Sequence, residues 1–302
     1  MTILQAIILG IVQGLTEFIP ISSTAHLIFA SRLTELYAGV EETLRAEQTT
    51  ATIAVIQLGT LIAVFVYFAR DIWAISRAFL RDHLRMVGIG RKDSTSNNAT
   101  QSGSFPTHLS QEAKLGWLVI IGSLPIATVG LALKEQIEGP GTKNLWVIAI
   151  VMIVIALLLA FAEKVGKQER TMAHLGVRDA LAVGFAQVLA LMPGASRSGS
   201  TIMGGLFAGE TRETAARFSF LLSIPAIAAS GLLEMREAVT KLPSGSFLPL
   251  LVATIVAGFV GYASIWFLLR FLRTHSTGVF IIYRLVVGTA ILALLFANVI
   301  NP

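Results

Sequence analysis

Cysteine is absent from this 302-residue chain, and charge is scarce. Without cysteine there is no disulfide, no thiolate nucleophile and no zinc–thiolate site. Charged residues make up 14% of the chain, against about 25% in an ordinary soluble domain. Hydrophobic residues make up 54% before the 26 glycines are counted, and the mean hydropathy is +0.74. This composition excludes a soluble enzyme, a disordered chain and a nucleic-acid binder. The net charge of +5 and the pI near 9.7 then read as cationic loops on one membrane face. No Lys or Arg precedes Arg32, so the first apolar stretch lacks the charged start of a removable signal.

What is present is a series of apolar runs. Six carry no charge and are expected to span a membrane: Ala51–Phe68, Leu115–Leu133, Leu145–Ala162, Phe218–Leu233, Phe247–Leu269 and Leu285–Ile300. The fourth and sixth are 16 residues long, short for a hydrocarbon core of about 30 Å. Arg217 and Arg284 are expected to snorkel from their ends. Two further runs are broken in the middle. Ile3–Ala30 contains Gln13, Glu17, Pro20, Ser22, Ser23, Thr24 and His26, and Asp179–Ala208 contains the stretch from Pro193 to Thr201. Non-helical backbone at membrane depth survives only where protein or water satisfies it. Each run therefore reads as a re-entrant helix hairpin.

The order is a broken hairpin and three spans, repeated. Gly10 and Gln13 match Gly184 and Gln187 at an offset of 174. Three crossings per half invert the second copy, so the fold is expected to be an all-α polytopic membrane protein with an inverted repeat. Residues 1–163 form one half and 164–302 the other, with the site where the hairpins meet. Residues 70–114, 163–178, 209–217 and 270–284 bring 16 Lys and Arg to one face, whereas the other face receives 6. The positive-inside rule makes the first face cytoplasmic, with both termini and the mouth of the site outside. Residues 70–114 are expected to be a polar loop, opened at Trp73 and Arg77 by a short interfacial helix.

Of 41 charged side chains, only Glu17 and Arg197 are expected deep inside apolar runs, one per hairpin. Burying a charge there costs roughly 2.5–3.5 kcal/mol even on the mildest scale. An ion pair joining the halves is the plainest explanation, yet the surrounding polar residues exceed what a pair needs. Gln13 and Glu17 are four apart and share a helix face, so their oxygens can hold Mg²⁺ or Ca²⁺. Ser22 or Ser23 can cap the helix that follows Pro20. A serine there can also pair with His26 as nucleophile and base. Around Arg197, Gly194, Ser196, Ser198 and Thr201 can surround a phosphate with hydroxyls, amides and a guanidinium. No Walker-type Gly-Lys-Ser/Thr is present, so this is not a nucleotide loop.

The stretch from Gln13 to His26 resembles the Glu/Gln-x-x-x-Glu motif and following serine–histidine of the undecaprenyl-diphosphatase (bacitracin-resistance) family. Pro193 to Thr201 is similar to that family's Pro-Gly-x-Ser-Arg-Ser-x-x-Thr motif. Ile56–Gly59, Phe218–Leu222 and Ile282–Arg284 resemble family segments in the same order. Gln13 removes one carboxylate from the metal site. Ile53 stands where members often carry an acid, and the polar insert before Lys114 is long. The resemblance implies hydrolysis of a C55 polyprenyl diphosphate, a lipid substrate, at the bacterial plasma (inner) membrane. It implies catalytic roles for Glu17, Ser23, His26 and Arg197, and phosphate binding by Ser22, Gly194, Ser196, Ser198 and Thr201. The divalent cation would sit on Gln13 and Glu17. A homodimer is the candidate assembly. The rival expectation is a secondary transporter or flippase, because broken helices in inverted repeats also build transport sites.

Overall fold

The computed structural model describes residues 1–86, 109–133, 144–242 and 245–301. Its described residues form eleven α-helices. They are α1 (Ile3–Phe18), α2 (Ser23–Leu33), α3 (Glu42–Tyr67), α4 (Ala69–Met86), α5 (Gln111–Ala132) and α6 (Leu145–Val165), then α7 (Val177–Val188), α8 (Arg197–Phe207), α9 (Arg212–Lys241), α10 (Phe247–Leu272) and α11 (Gly278–Phe296). Side-chain oxygens set several starts. Thr2 accepts from the Gln5 amide at 3.2 Å while Gln5 Oε1 accepts from the Thr2 amide at 2.7 Å, closing a capping box on α1. Asn144 caps α6 through the Trp146 amide at 2.8 Å.

Five helices, α3, α5, α6, α10 and α11, are long and apolar enough to cross a membrane. With 30 residues, α9 also has the length. The helices of the two broken runs do not. Their lengths of 16, 11, 12 and 11 residues give at most about 24 Å at 1.5 Å per residue, less than a core of about 30 Å.

The two broken runs share one backbone register. Helix α2 starts at Ser23 and ends at Leu33, and a shift of 174 positions gives both ends of α8, Arg197 and Phe207. Ser22 and Ser196 occupy the same N-cap place, with φ of 78° and 67°. At the far ends the Leu36 amide donates to the Ser31 carbonyl as the Glu210 amide donates to that of Gly205, again 174 apart.

Packing is reciprocal. Helix α1 lies on α10 and α7 on α5, while α3 meets α9 and α6 meets α11. Glycine permits the two mated approaches. A Cβ on Gly10 would come within 2.6 Å of the Ala253 carbonyl oxygen in α10, and one on Gly184 would collide with the Gly122 carbonyl in α5. Between the halves, an apolar core joins Phe18, Phe68 and Phe220 to Ile202, Leu206 and Leu268. The Phe18 and Phe220 rings meet edge-on at 5.4 Å.

Three expectations need correction. Arg284 does not snorkel from a helix end. It lies inside α11 with no exposed surface, because Gly278–Tyr283 extends the helix before it. Residues 70–114 are not wholly loop, because α4 is an 18-residue amphipathic helix and α5 begins at Gln111. The polar stretch between them lies outside the described residues. Helices α3, α9 and α10 also outrun their apolar segments, starting at Glu42, running from Arg212 to Lys241, and ending at Leu272 respectively.

Candidate active site

Each broken run turns at a serine with positive φ. Non-glycine residues rarely adopt this conformation, and it costs of order 1–3 kcal/mol. At the second turn Gly194 has φ of +95° and lies so close to α6 that a Cβ would strike the Ile148 carbonyl. The buried guanidinium of Arg284 reaches both turns. It donates to the Pro20 carbonyl at 3.3 Å and to those of Gly194 and Ala195 at 3.0 Å each. A fourth bond goes to the Met152 carbonyl of α6 at 3.3 Å. Carbonyls emptied by the two breaks thus satisfy one buried cation.

Above this clamp the halves meet through charge. The Arg197 guanidinium forms an ion pair with the Glu17 carboxylate, and both side chains are largely buried. Gln13 Nε2 donates to Glu17 Oε2 at 3.1 Å and lies 3.4 Å from Thr60 Oγ1. Gln57 Nε2 donates to Glu17 Oε1 at 3.4 Å. The expected pairing of Gln13 and Glu17 on one helix face is therefore present, and α3 adds Gln57 and Thr60.

His26 is held differently from the expectation. Its Nδ1 lies 2.7 Å from the Ser22 carbonyl and its Nε2 lies 2.7 Å from the Tyr283 hydroxyl. The ring stacks on Tyr283 at 5.6 Å. Among the described residues no serine hydroxyl bonds the imidazole, because one turn of α2 brings Nδ1 back onto the Ser22 carbonyl. Ser23 opens α2 and is partly exposed. Ser22 is the N-cap residue, but its hydroxyl caps nothing and is buried without a partner.

In the second turn, Ser196 Oγ caps α8 by accepting from the Gly199 amide at 3.2 Å and lies 3.2 Å from Ser198 Oγ. Thr201 is fully buried and turns away, bonding the Arg197 carbonyl at 2.7 Å and Ser219 Oγ at 2.5 Å. It braces α8 against α9 in place of facing a ligand.

Among the described residues several oxygens here have no partner. Gln13 Oε1, Ser22 Oγ and Ser200 Oγ are all buried and unpaired. Buried polar atoms are normally satisfied, so orphaned ones mark a place for water or ligand. Gln13 Oε1 and the Glu17 carboxylate suit a hard cation, with further ligands supplied by phosphate oxygens and water. Among the described residues no group of three or more His, Asp or Glu closes a metal site by itself. The cation would therefore have to be shared with the substrate.

The model of the bacitracin resistance protein BacA family matches residues 6–290. The chain belongs to this family. A protein of Syntrophobacter fumaroxidans named undecaprenyl-diphosphatase is 52% identical over 298 residues, covering 99% of each chain. Relatives with the same name from Chlorobium phaeobacteroides and Mycolicibacterium gilvum are 45% and 44% identical, with 98% and 99% of each chain covered. Of the BacA-type motifs quoted above, both long ones lie at the meeting of the two turns. The three short segments supply Gln57, Ser219, Tyr283 and Arg284 to the same neighbourhood. Reasoning from individual residues assigned none of these four to the site. Their positions within family-like segments were the available signal.

Proposed function

We propose that this BacA-family chain is an integral membrane undecaprenyl-diphosphatase. It hydrolyses undecaprenyl diphosphate to undecaprenyl phosphate and inorganic phosphate. In the bacterial plasma membrane this returns the lipid carrier to peptidoglycan synthesis and confers bacitracin resistance. The observation that carries the reading is the Glu17–Arg197 pair between two strained turns, in a chain whose full-length relatives bear that enzyme's name.

Arg197 exchanges Glu17 for the phosphoryl oxygens when substrate enters, and stabilises the charge that builds as the anhydride bond breaks. Ser196, Ser198 and the first amides of α8 bind the same oxygens. Thr201 keeps this helix start in place through Ser219. Ser23 attacks the terminal phosphorus, breaking the anhydride bond to release undecaprenyl phosphate and leaving a phosphoserine that water then hydrolyses to inorganic phosphate. Alternatively, it positions a water that makes the same attack directly. His26 moves the proton to the leaving phosphate, with Tyr283 fixing its ring. Held by Gln13 and Glu17, Mg²⁺ or Ca²⁺ would offset the diphosphate's charge. Beside His26 an apolar cleft of about 410 Å³, lined by Ile8, Val12, Phe29 and Leu33, suits a prenyl chain.

Topology follows the same reading. Residues 1–163 and 164–302 are inverted copies with six spans and two re-entrant hairpins. The shared 174-residue register and the reciprocal packing support this. With Arg284 removed from the loop count, 15 basic residues still face 6, which supports an orientation with both termini and the site's mouth outside. The relatives' names favour hydrolysis over transport. The test is phosphate release from undecaprenyl diphosphate by purified protein in detergent, where no gradient exists. Release should stop with EDTA, return with Mg²⁺ or Ca²⁺, and fall about 100-fold or more in Arg197→Ala. Absence of release from folded protein would refute the hydrolase. Release indifferent to EDTA would refute the metal role of Gln13 and Glu17.

A further inference from the structure

Helix α4 carries two exposed stripes that the catalytic reading does not use. On a helix turning about 100° per residue, Trp73, Leu80 and Leu84 lie within about 40° of one another. Arg77, Arg70, Arg81 and Arg85 occupy the next sector, spread over about 80°. The remaining face is covered by α5, where Ile75 and Phe79 lie over Gly116 and Asp82 receives both the amide and the hydroxyl of Ser110. Trp73 and Leu80 are 70% and 61% exposed, although both are large and apolar.

The acidic groups of α4 leave Arg70 and Arg77 of the stripe unpaired among the described residues. Asp71 is engaged by Arg217 of α9 at 2.7 Å. Asp82 is buried and accepts from Arg81 at 2.9 Å, besides Ser110. Arg70 and Arg77 form no ion pair among the described residues. An apolar stripe with aromatic and leucine side chains beside a guanidinium stripe is the composition of a helix lying in the headgroup layer. Trp and Leu enter the acyl boundary while arginines meet phosphates.

We propose that α4 is an anionic-phospholipid binding surface, in the leaflet reached by the C-terminal end of α3, separate from the hydrolytic site. The argument is charge complementarity. Neutral lipid would satisfy the apolar stripe but leave Arg70 and Arg77 without counter-charge.

Because the chain has no cysteine, a single Leu80→Cys can carry a bimane label without background. The full-length protein is placed in nanodiscs with equal fractions of brominated-chain phosphatidylglycerol or brominated-chain phosphatidylcholine in an unbrominated phosphatidylcholine host. The expected result is stronger quenching by phosphatidylglycerol, corresponding to a local enrichment of about tenfold, collapsing in about 1 M salt. Arg70→Gln with Arg77→Gln should abolish the preference while quenching persists. A second label at Phe259→Cys, 77% exposed on α10, should be quenched equally by both lipids and reports correct folding and insertion. With that control intact, equal quenching at position 80 overturns anionic selectivity. No quenching there overturns the surface altogether.

Discussion

The turns at Ser22 and Ser196 share a backbone and divide the chemistry. At matched positions 174 apart, the first hairpin has Gln13, Ser23 and His26 where the second has Gln187, Arg197 and Ser200. Glu17 is matched by Leu191. Both turns hold a serine with positive φ, both lead into an 11-residue helix, and both offer carbonyls to Arg284. Thus a repeated scaffold supplies two preorganised helix starts. The acid and the imidazole lie on one and the guanidinium on the other. Neither half alone contains a charge-balanced site, and the Glu17–Arg197 pair joins them.

The sharpest way to break this comparison is to remove what the turns share. Arg284→Ala would leave the carbonyls of Pro20, Gly194 and Ala195 without a donor and open a cavity. A loss of about 3 kcal/mol or more in stability is expected, read as a lower unfolding midpoint in detergent, with Arg284→Lys recovering part of it. An unchanged midpoint would mean the turns hold without the clamp.

A second test uses the far ends of the same helices. At matched places Leu36 and Glu210 are both fully buried, but only one is apolar. Burial, then the nearby Asp179 charge, push the Glu210 carboxyl up to about 8, against a smaller opposing pull from Arg170. Its protonated form therefore belongs to the folded state. The stabilising contribution is complete below the ordinary value of 4.5 and is lost as pH rises through about 8. Glu210→Gln should flatten that decline, measured as unfolding midpoint against pH. An identical decline in the variant would assign it elsewhere. Asp82 runs the other way. Burial raises its pKa, but the hydrogen bonds from Ser110 and Arg81 outweigh it and hold the carboxyl at about 2. Its contribution is present above 3.8 and lost only as pH falls through about 2.

The smallest effect concerns strain. Ser22→Gly should raise stability by about 1 kcal/mol, since glycine adopts positive φ freely and the Ser22 hydroxyl has no partner to lose. Ser196→Gly should gain less, because it forfeits the bond to Gly199. Equal gains would show that the cap is worth nothing.

Much of this architecture was legible in the sequence. Pro20 and Pro193 within apolar runs located both turns, and the rarity of charge at membrane depth singled out Glu17 and Arg197. Arg284 escaped that signal. A charge beside an apolar run reads as its end, and an arginine satisfied by backbone carbonyls leaves no acidic partner in the sequence to betray its depth. Tyr283 and Gln57 escaped because their roles arise only where α11 and α3 bring them to His26 and Glu17. Trp73 and Arg77 point to a short interfacial helix, whereas α4 runs for 18 residues and carries two stripes.

The central claim is that Glu17 and Arg197 act as one unit across the two halves. The most direct measurement is the turnover of Glu17→Gln, Arg197→Gln and the double variant with undecaprenyl diphosphate, compared as a double-mutant cycle. The account predicts that each single variant loses most turnover and that the double variant is little worse than the worse single. Losses that simply multiply would contradict it, leaving two residues that serve the reaction independently.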